Sequence, residues 1–204
     1  MCFGLALAAA AISPIGEAPS VNFIRRQRTH PKVLLFMPES LRLAPFDVYI
    51  DPLLAFQDGR LREMLAYWEG KRAGRPFPAR ADINPADIVS HLPSVFLIDA
   101  LAPASSLAHF RVRLMGTALN DLFARDFTGR PLEGELPEKA GAAIVKLLGI
   151  VCQLRRPLRV HGVAVFARAG PSTAIEAALM PLATGGPGVG MVMGELVKRA
   201  SPNA

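Results

Sequence analysis

The chain has 204 residues, of which 51% are hydrophobic and 20% are charged, and its formal net charge is +6 at neutral pH. It can bury a real core, which favours one main domain with extensions. Its two cysteines, Cys2 and Cys152, show no CxxC or Cys/His ligand spacing, so neither a disulfide framework nor a zinc site is indicated and a reducing cytoplasm fits. The modest basic excess forms no dense Lys/Arg stripe with interleaved aromatics, which argues against nucleic-acid binding.

Residues 1–45 are predicted to be a variable leader outside the fold. Within it, residues 2–12 form an apolar run of 11 residues, well short of the roughly 20 needed to cross a bilayer. No positive segment precedes this run, as it would in a secretory signal. Prolines punctuate residues 13–45, which is typical of an extended or disordered segment. We therefore expect a cytoplasmic protein without a membrane span.

Residues 46–94 are predicted to be an N-terminal helical extension. Asp51 followed by Pro52 has the pattern of an N-cap with proline at the first helical position, so a helix is expected to begin there. Over residues 60–73 apolar side chains recur at helical spacing, and Gly74 then ends the helix.

The apolar stripe of this helix has two interpretations. It consists of Leu61, Leu65 and Trp68. In the first interpretation it anchors the helix onto the main domain. In the second it is a partner interface, where the helix pairs with its copy in a homodimer or with a regulatory protein, because one amphipathic helix outside a sheet needs a partner for its face.

A short helix is predicted next, before the main domain. Asn84 and Pro85 supply a cap and a first-turn proline, and Pro93 ends the helix. His91 lies near its C-terminus, where a positive charge is favourable, and is interpreted as a surface or capping histidine.

Residues 95–199 are predicted to form the main domain, with residues 200–204 as a tail. Residues 95–101 are a largely apolar β-type run, and residues 109–115 alternate strictly, with two arginines on one face. These runs predict a β-hairpin with one solvent-exposed face. After Gly116 the spacing turns helical.

The rest of the domain is predicted to complete an antiparallel sheet. A longer helix is expected over residues 138–154. Three β-type runs follow, separated by turns too short for parallel crossovers: residues 158–168, 173–182 and 189–198. The pattern predicts an α+β fold, a five-stranded antiparallel sheet with helices on one face and the helical extension added at its N-terminus.

Four stretches carry a resemblance to a known family. They are LAYWEGKRAGRPFPARADINPADI (65–88), LPSVFLIDAL (92–101), FRVRLMGTALNDLFARDFTGRPL (110–132) and the terminal GELVKR. Together they resemble the bacterial single-domain PAS proteins of the PAS_5 type over roughly residues 46–199. The resemblance implies a PAS fold used for signal sensing or protein–protein regulation, commonly as a dimer.

The resemblance also allows known PAS cofactors to be weighed. A PAS flavin photosensor is expected to carry a pattern similar to GxNCRFLQ after the hairpin, in which the cysteine thiol attacks the flavin ring. The corresponding stretch here, GTALNDLFARDFTG, contains no cysteine, which argues against such a flavin adduct. A haem sensor often takes its ligand from the longer helix, which has no histidine. His161 on the following strand is interpreted as a satisfied strand histidine, with an axial haem ligand as the alternative. No cofactor is therefore predicted.

Catalytic constellations are not apparent in the sequence. It contains no GxSxG, no HExxH and no phosphate-binding GxxxxGK[ST] motif. The glycines of TGGPGVG lie between two predicted strands, so they are interpreted as a turn and not as a nucleotide-binding loop. Cys152 has no adjacent His or Asp and is interpreted as a small buried hydrophobe. We expect a non-enzyme without a metal site.

Apolar residues from the short helices, the longer helix and the strands are predicted to surround one space. They are Leu119, Leu122, Phe123, Ile144, Leu148, Val151, Val163, Val165, Met191 and Met193. These side chains suit an apolar or amphipathic ligand, yet the same residues would fill a closed core.

Two functions follow from these alternatives. The first is a sensory or regulatory module that binds a small apolar or amphipathic ligand and signals through protein contacts. The second is a ligandless PAS adaptor that serves as a dimerisation and docking surface.

Overall fold

A computed structural model describes residues 41–43, 47–101, 109–136, 138–166 and 172–199, which all belong to one compact unit. Residues 1–40 of the predicted leader and the tail over 200–204 lie outside the described residues. Within the described part of the chain, none of the helices combines the length and apolar character that crossing a bilayer requires.

The described strands form one antiparallel sheet of seven strands in the order β1-β2-β5-β6-β7-β3-β4. The strands are β1 (Leu41–Arg42), β2 (Asp47–Asp51), β3 (Val95–Ala100), β4 (Phe110–Met115), β5 (Leu158–Ala164), β6 (Thr173–Leu182) and β7 (Met191–Lys198). The helices are α1 (Gly59–Arg72), α2 (Thr117–Phe123) and α3 (Glu138–Leu154), with 3-10 turns at Arg80–Asp82, Pro85–Ile88 and Leu92–Ser94.

The predicted antiparallel sheet is confirmed, but it has two more strands than expected. All five predicted strands are present, and α3 has the predicted bounds. The additional strands β1 and β2 come from residues assigned to the leader and the helical extension, and β2 pairs with β5.

The prediction that a helix begins at Asp51 is wrong. Asp51 ends β2, and its carboxylate accepts the backbone N–H groups of Leu53 and Ala55, which closes a turn instead of capping a helix. Helix α1 begins at Gly59, and the side chain of Asp58 caps it by accepting the N–H of Arg60.

Helix α1 packs on the sheet through its apolar stripe. Leu61, Met64 and Trp68 are completely buried, and the indole Nε1 of Trp68 donates to the Pro181 carbonyl of β6 at 3.0 Å. Leu65 is half-buried against the same core. The predicted partner interface is therefore corrected for Leu61 and Trp68, because their side chains already anchor α1 onto its own domain.

The sheet separates two apolar cores. Ala177 and Leu179 of β6 point into the core that contains α3, whereas Ala178 and Met180 point into the core that contains α1. Both faces of β6 are consequently buried, which explains its almost uninterrupted apolar sequence. The sequence predicted helices on one face of the sheet. Helix α3 covers one face, and the N-terminal extension covers the opposite face.

Gly116 fixes the start of α2 against the turn that precedes β3. Its N–H donates to the Val95 carbonyl at 2.9 Å. A Cβ at this position would lie 2.3 Å from the carbonyl oxygens of both Leu92 and Pro93. Only glycine allows this close approach of two backbone segments.

We expect Gly116→Ala to destabilise the fold by roughly 1 to 3 kcal/mol, because backbone atoms must shift to admit the methyl group. Gly186→Ala is the matched control, since a Cβ there meets no atom within 4 Å. Urea unfolding measures both, and equal free energies of unfolding for the two variants would contradict the packing described for Gly116.

Candidate functional site

Four of the predicted pocket residues come together on the face of the sheet that α3 covers, where they are part of an apolar core. Phe123, Ile144, Leu148 and Val151 belong to one core with β-strand residues. Leu148 and Val151 are at most 1% exposed. The Phe123 ring makes edge contacts with Phe127 and Phe166 at centroid distances of 5.8 and 4.9 Å. These side chains pack against the same apolar core, and Phe123 and Ile144 lie at its partly buried edge.

The assignment of Met191 and Met193 to this pocket is wrong. Both methionines lie in the core under α1, on the opposite face of the sheet. Val192, between them, points into the α3 core. Strand alternation places neighbouring residues on opposite faces, and both faces of β7 are apolar, so the choice between them requires the tertiary structure.

Val163 and Val165 also lie outside the predicted pocket. Their exposed fractions are 39% and 52%, so neither belongs to a core. His161 stacks on Tyr49 at a centroid distance of 5.7 Å. Leu158 and Val160 of the same strand point into the α3 core, so His161 lies on the other face.

The N-terminal end of α1 is held on β6 by a buried carboxylate. Glu176 is completely buried, and its two oxygens accept the backbone N–H groups of Gln57 and Asp58 at 2.9 Å each. Arg159 bridges Glu176 to Asp51 of β2, with an Nη1 to Oδ2 distance of 3.1 Å to Asp51. The residues before α1 are thus tied to three strands at one point.

A second buried carboxylate lies on the neighbouring strand β7. Glu195 is completely buried, and the Nδ1 atom of His91 lies 3.0 Å from its Oε2. Nη2 of Arg60 in the first turn of α1 lies 3.2 Å from Oε1. Glu195 therefore joins α1, β7 and the turn before β3.

The interpretation of His91 as a surface or capping histidine is wrong. The residue is only 8% exposed, and its Nδ1 faces Glu195. Its Nε2 lies 3.7 Å from the exposed carboxylate of Glu63. A buried carboxylate requires hydrogen-bond and charge partners, and His91 supplies one of them.

The two glutamates have pKa values shifted in opposite directions. Burial alone would raise the pKa of Glu176, but hydrogen bonds from the Gln57 backbone, the Arg159 side chain and the Asp58 backbone together hold it below its ordinary value. For Glu195, burial raises the pKa above its ordinary value, although His91 and Arg60 oppose the shift. Of the two carboxylates, Glu195 is therefore protonated first as the pH falls, and Glu176 stays ionised to a lower pH.

A cleft of about 320 Å³ opens beside this second carboxylate, where the first turn of α1, α2 and the end of β7 meet. We call it the α1–α2 cleft. Leu119 and Leu122, both predicted pocket residues, lie in its lining together with Leu196, Arg60 and Lys198. Arg60 therefore faces the cleft and also contacts buried Glu195.

Another cleft, of about 480 Å³, lies between the C-terminal ends of α1 and α3. Arg72 in its lining pairs with Glu69 at 2.6 Å, and Arg155 donates to the Pro187 carbonyl at 2.7 Å. We take the α1–α2 cleft as the candidate site, because Arg60 in its lining also contacts the buried carboxylate of Glu195.

The family of the chain follows from a sequence comparison. The family model PAS_5, described as PAS domain, matches residues 57–197, which is more than half of the chain. The chain belongs to the PAS domain family. This PAS domain is a sensory or regulatory module, as the sequence resemblance predicted.

Solved structures similar to this PAS domain are distant from it. The PAS domain of Bordetella pertussis BvgS has 13% identity and a TM-score of 0.38, covering 58% of this chain and 90% of its own. A fungal LOV domain photoreceptor has 12% identity and a TM-score of 0.38, with coverages of 59% and 94%. An RNA-binding light-oxygen-voltage receptor has 16% identity and a TM-score of 0.36, with coverages of 59% and 35%. No curated protein gives a significant match.

The buried charges of the PAS domain are the residues that sequence reasoning missed. Glu176 stands alone in the apolar run TAIEAALMPL, and Glu195 stands in MVMGELVK. A single charged residue inside an apolar strand is a signal that a buried partner exists, because an unpaired charge is too costly to bury. The signal does not say which residue is the partner.

We expect Glu176→Gln to destabilise the PAS domain by roughly 3 to 5 kcal/mol at pH 7, since Arg159 loses a buried partner. The folded pKa of Glu176 is lowered, so its carboxylate stabilises the fold above an unfolded pKa of roughly 4.3. This contribution is lost as the pH falls through the folded pKa. Urea unfolding from pH 7 to 3 should therefore show the variant and the parent converging at acid pH.

Glu195→Gln is the matched control, because Glu195 is equally buried on the adjacent strand. Its folded pKa is raised, so the contribution of this carboxyl group is present below the unfolded pKa and lost as the pH rises through the folded pKa. For each variant, the free energy of unfolding of the parent minus that of the variant is plotted against pH. This difference should rise with pH for Glu176→Gln and fall with pH for Glu195→Gln. Parallel curves would contradict the assigned directions.

The Cys152 thiol is expected to react slowly in the folded protein. Burial raises its pKa to about 11, which lowers the thiolate fraction at pH 8 by on the order of 100-fold relative to a free cysteine. In a Cys2→Ser chain, Cys152 is the only cysteine. Its alkylation by iodoacetamide at pH 8 should accelerate by that factor in denaturant. Equal rates in the native and denatured protein would overturn this expectation.

Proposed function

We propose that this PAS domain is a non-catalytic sensory module that binds a small apolar or amphipathic ligand and passes its state to a protein partner. The position of Arg60 carries the proposal. Its side chain is 44% exposed and lines the α1–α2 cleft, while its Nη2 contacts buried Glu195 at 3.2 Å. A ligand in the cleft would therefore touch a residue that holds α1 on the sheet.

The output is proposed to leave through residues 46–74, which include α1. Ion pairs and a buried apolar stripe attach α1 to the sheet, whereas a strand would have to break a ladder of backbone hydrogen bonds to move. The outward face of α1 carries exposed charges such as Arg62 and Glu63. A regulatory protein or a second copy of the chain would meet this charged surface, since Trp68 is buried.

The proposed mechanism uses no flavin adduct and no haem. Helix α2 contains no cysteine that could attack a flavin ring, and α3 contains no histidine that could bind iron. The Cys152 thiol, with its raised pKa, is poorly suited to act as a nucleophile. The proposed signal is then carried by ligand binding and by the resulting change in the contacts of α1.

Native mass spectrometry, combined with hydrogen exchange, tests the sensory proposal. We expect a reproducible excess mass per chain in protein purified under native conditions. Unfolding and refolding should remove this mass and raise exchange at the amides of residues 57–62, because Arg60 loses a ligand contact. Unchanged exchange after loss of the bound mass would contradict the link between the cleft and α1.

A ligandless adaptor is the second candidate function, and the tight burial of the residues under α3 favours it. Leu148, Val151 and Phe110 are each at most 1% exposed within that core. The adaptor predicts a chain without excess mass that self-associates or binds a partner. Sedimentation velocity on the same sample distinguishes a homodimer from a monomer.

A further inference from the structure

The α1–α2 cleft carries groups of both charge signs beside an apolar wall. From this arrangement we propose that its ligand is a small zwitterion with an apolar side group, of the α-amino acid class. The inference rests on the proposed sensory function and specifies the ligand. Leucine represents the class.

Two cationic side chains in the cleft have donors to offer a carboxylate. Arg60 uses only Nη2 in its contacts with Glu195 and the Ser90 carbonyl, so its Nε and Nη1 make no hydrogen bond with the described residues. Lys198 is exposed at the end of β7, and its ammonium has no ion pair within the described part of the chain. Charge-assisted hydrogen bonds from two such groups favour a ligand carboxylate.

Two carboxylates in the same cleft can accept from an ammonium group. Asp58 uses Oδ1 to cap α1, which leaves Oδ2 without a hydrogen bond among the described residues. Asp121 is exposed on α2 and pairs with no described residue. Both aspartates line the cleft together with Arg60 and Lys198.

The apolar part of the lining defines the rest of the ligand. Leu119 is 2% exposed, and Leu122, Leu196 and Val197 join it in the wall. The volume of about 320 Å³ lies at the lower end of the roughly 300 to 1,000 Å³ usual for small-molecule sites. A short branched alkyl group suits this wall.

The charge pattern selects against ligands of a single charge sign. An anion would bring its negative charge toward Asp58 and Asp121, and a cation would meet Arg60 and Lys198. Like charges a few ångströms apart near a protein surface cost about as much as opposite charges gain. A zwitterion can satisfy both sets at once, and its alkyl group can cover the leucines.

Four probes isolate the three parts of the proposed ligand. They are L-leucine, 4-methylpentanoate, 3-methylbutylamine and glycine, where the last three lack the ammonium, the carboxylate and the alkyl group respectively. Calorimetric titration and the thermal shift of the full chain are measured with each. Leucine is expected to bind at least about tenfold more tightly than each of the others, because each loses one charge-assisted or apolar contact.

Two cleft variants tie the binding to this site. Lys198→Met and Asp121→Asn should each weaken leucine binding by about tenfold. Both side chains are exposed and have no ion pair with described residues. Without ligand, each variant should therefore have the same melting temperature as the parent. Lys146→Met and Glu133→Gln make the same chemical changes at exposed positions outside the cleft lining and should leave binding unchanged.

The outcomes separate this inference from the sensory proposal. Equal binding of leucine and 4-methylpentanoate, or binding that neither cleft variant weakens, overturns the zwitterion assignment. Failure of all four probes, together with an excess native mass of another chemical class, overturns the ligand class and leaves the sensory function standing. Failure of all four probes with a bare native mass overturns both.

Discussion

Two buried carboxylates on neighbouring strands hold the start of α1 against the sheet. Burying a carboxylate costs several kcal/mol unless charges and hydrogen bonds compensate it. Glu176 takes its partners from the backbone before α1 and from Arg159, and Glu195 takes them from His91 and Arg60. Segments distant in the chain therefore meet around these two carboxylates and compensate their burial.

This constraint makes the N-terminal extension part of the domain. With its first turn fixed, α1 lies along β6 and buries its apolar stripe in a second core. The sheet consequently has a core on each face, one under α1 and one under α3. The proposed output through α1 would reach the central strands by way of these contacts.

The proposed function of this arrangement depends on the α1–α2 cleft. Its wall includes residues of α2, and its charged rim includes Arg60, which also forms an ion pair with Glu195. A ligand that engages Arg60 shares it with Glu195, whose pKa is already raised by burial. We propose that ligand binding and the attachment of α1 are linked through this one guanidinium group, a form of coupling that needs no large movement.

The sequence alone determined the local elements of this PAS domain. Helix α3 and strand β6 have their predicted bounds, because periodicity and turn residues are encoded by neighbours in the chain. The tertiary structure alone decided which core receives Met191 and Met193, since both faces of the sheet are apolar. It also decided the partner of His91, which lies 104 residues away at Glu195. Alternation and spacing report a side chain's direction relative to its neighbours, but only the folded chain determines what lies on that side.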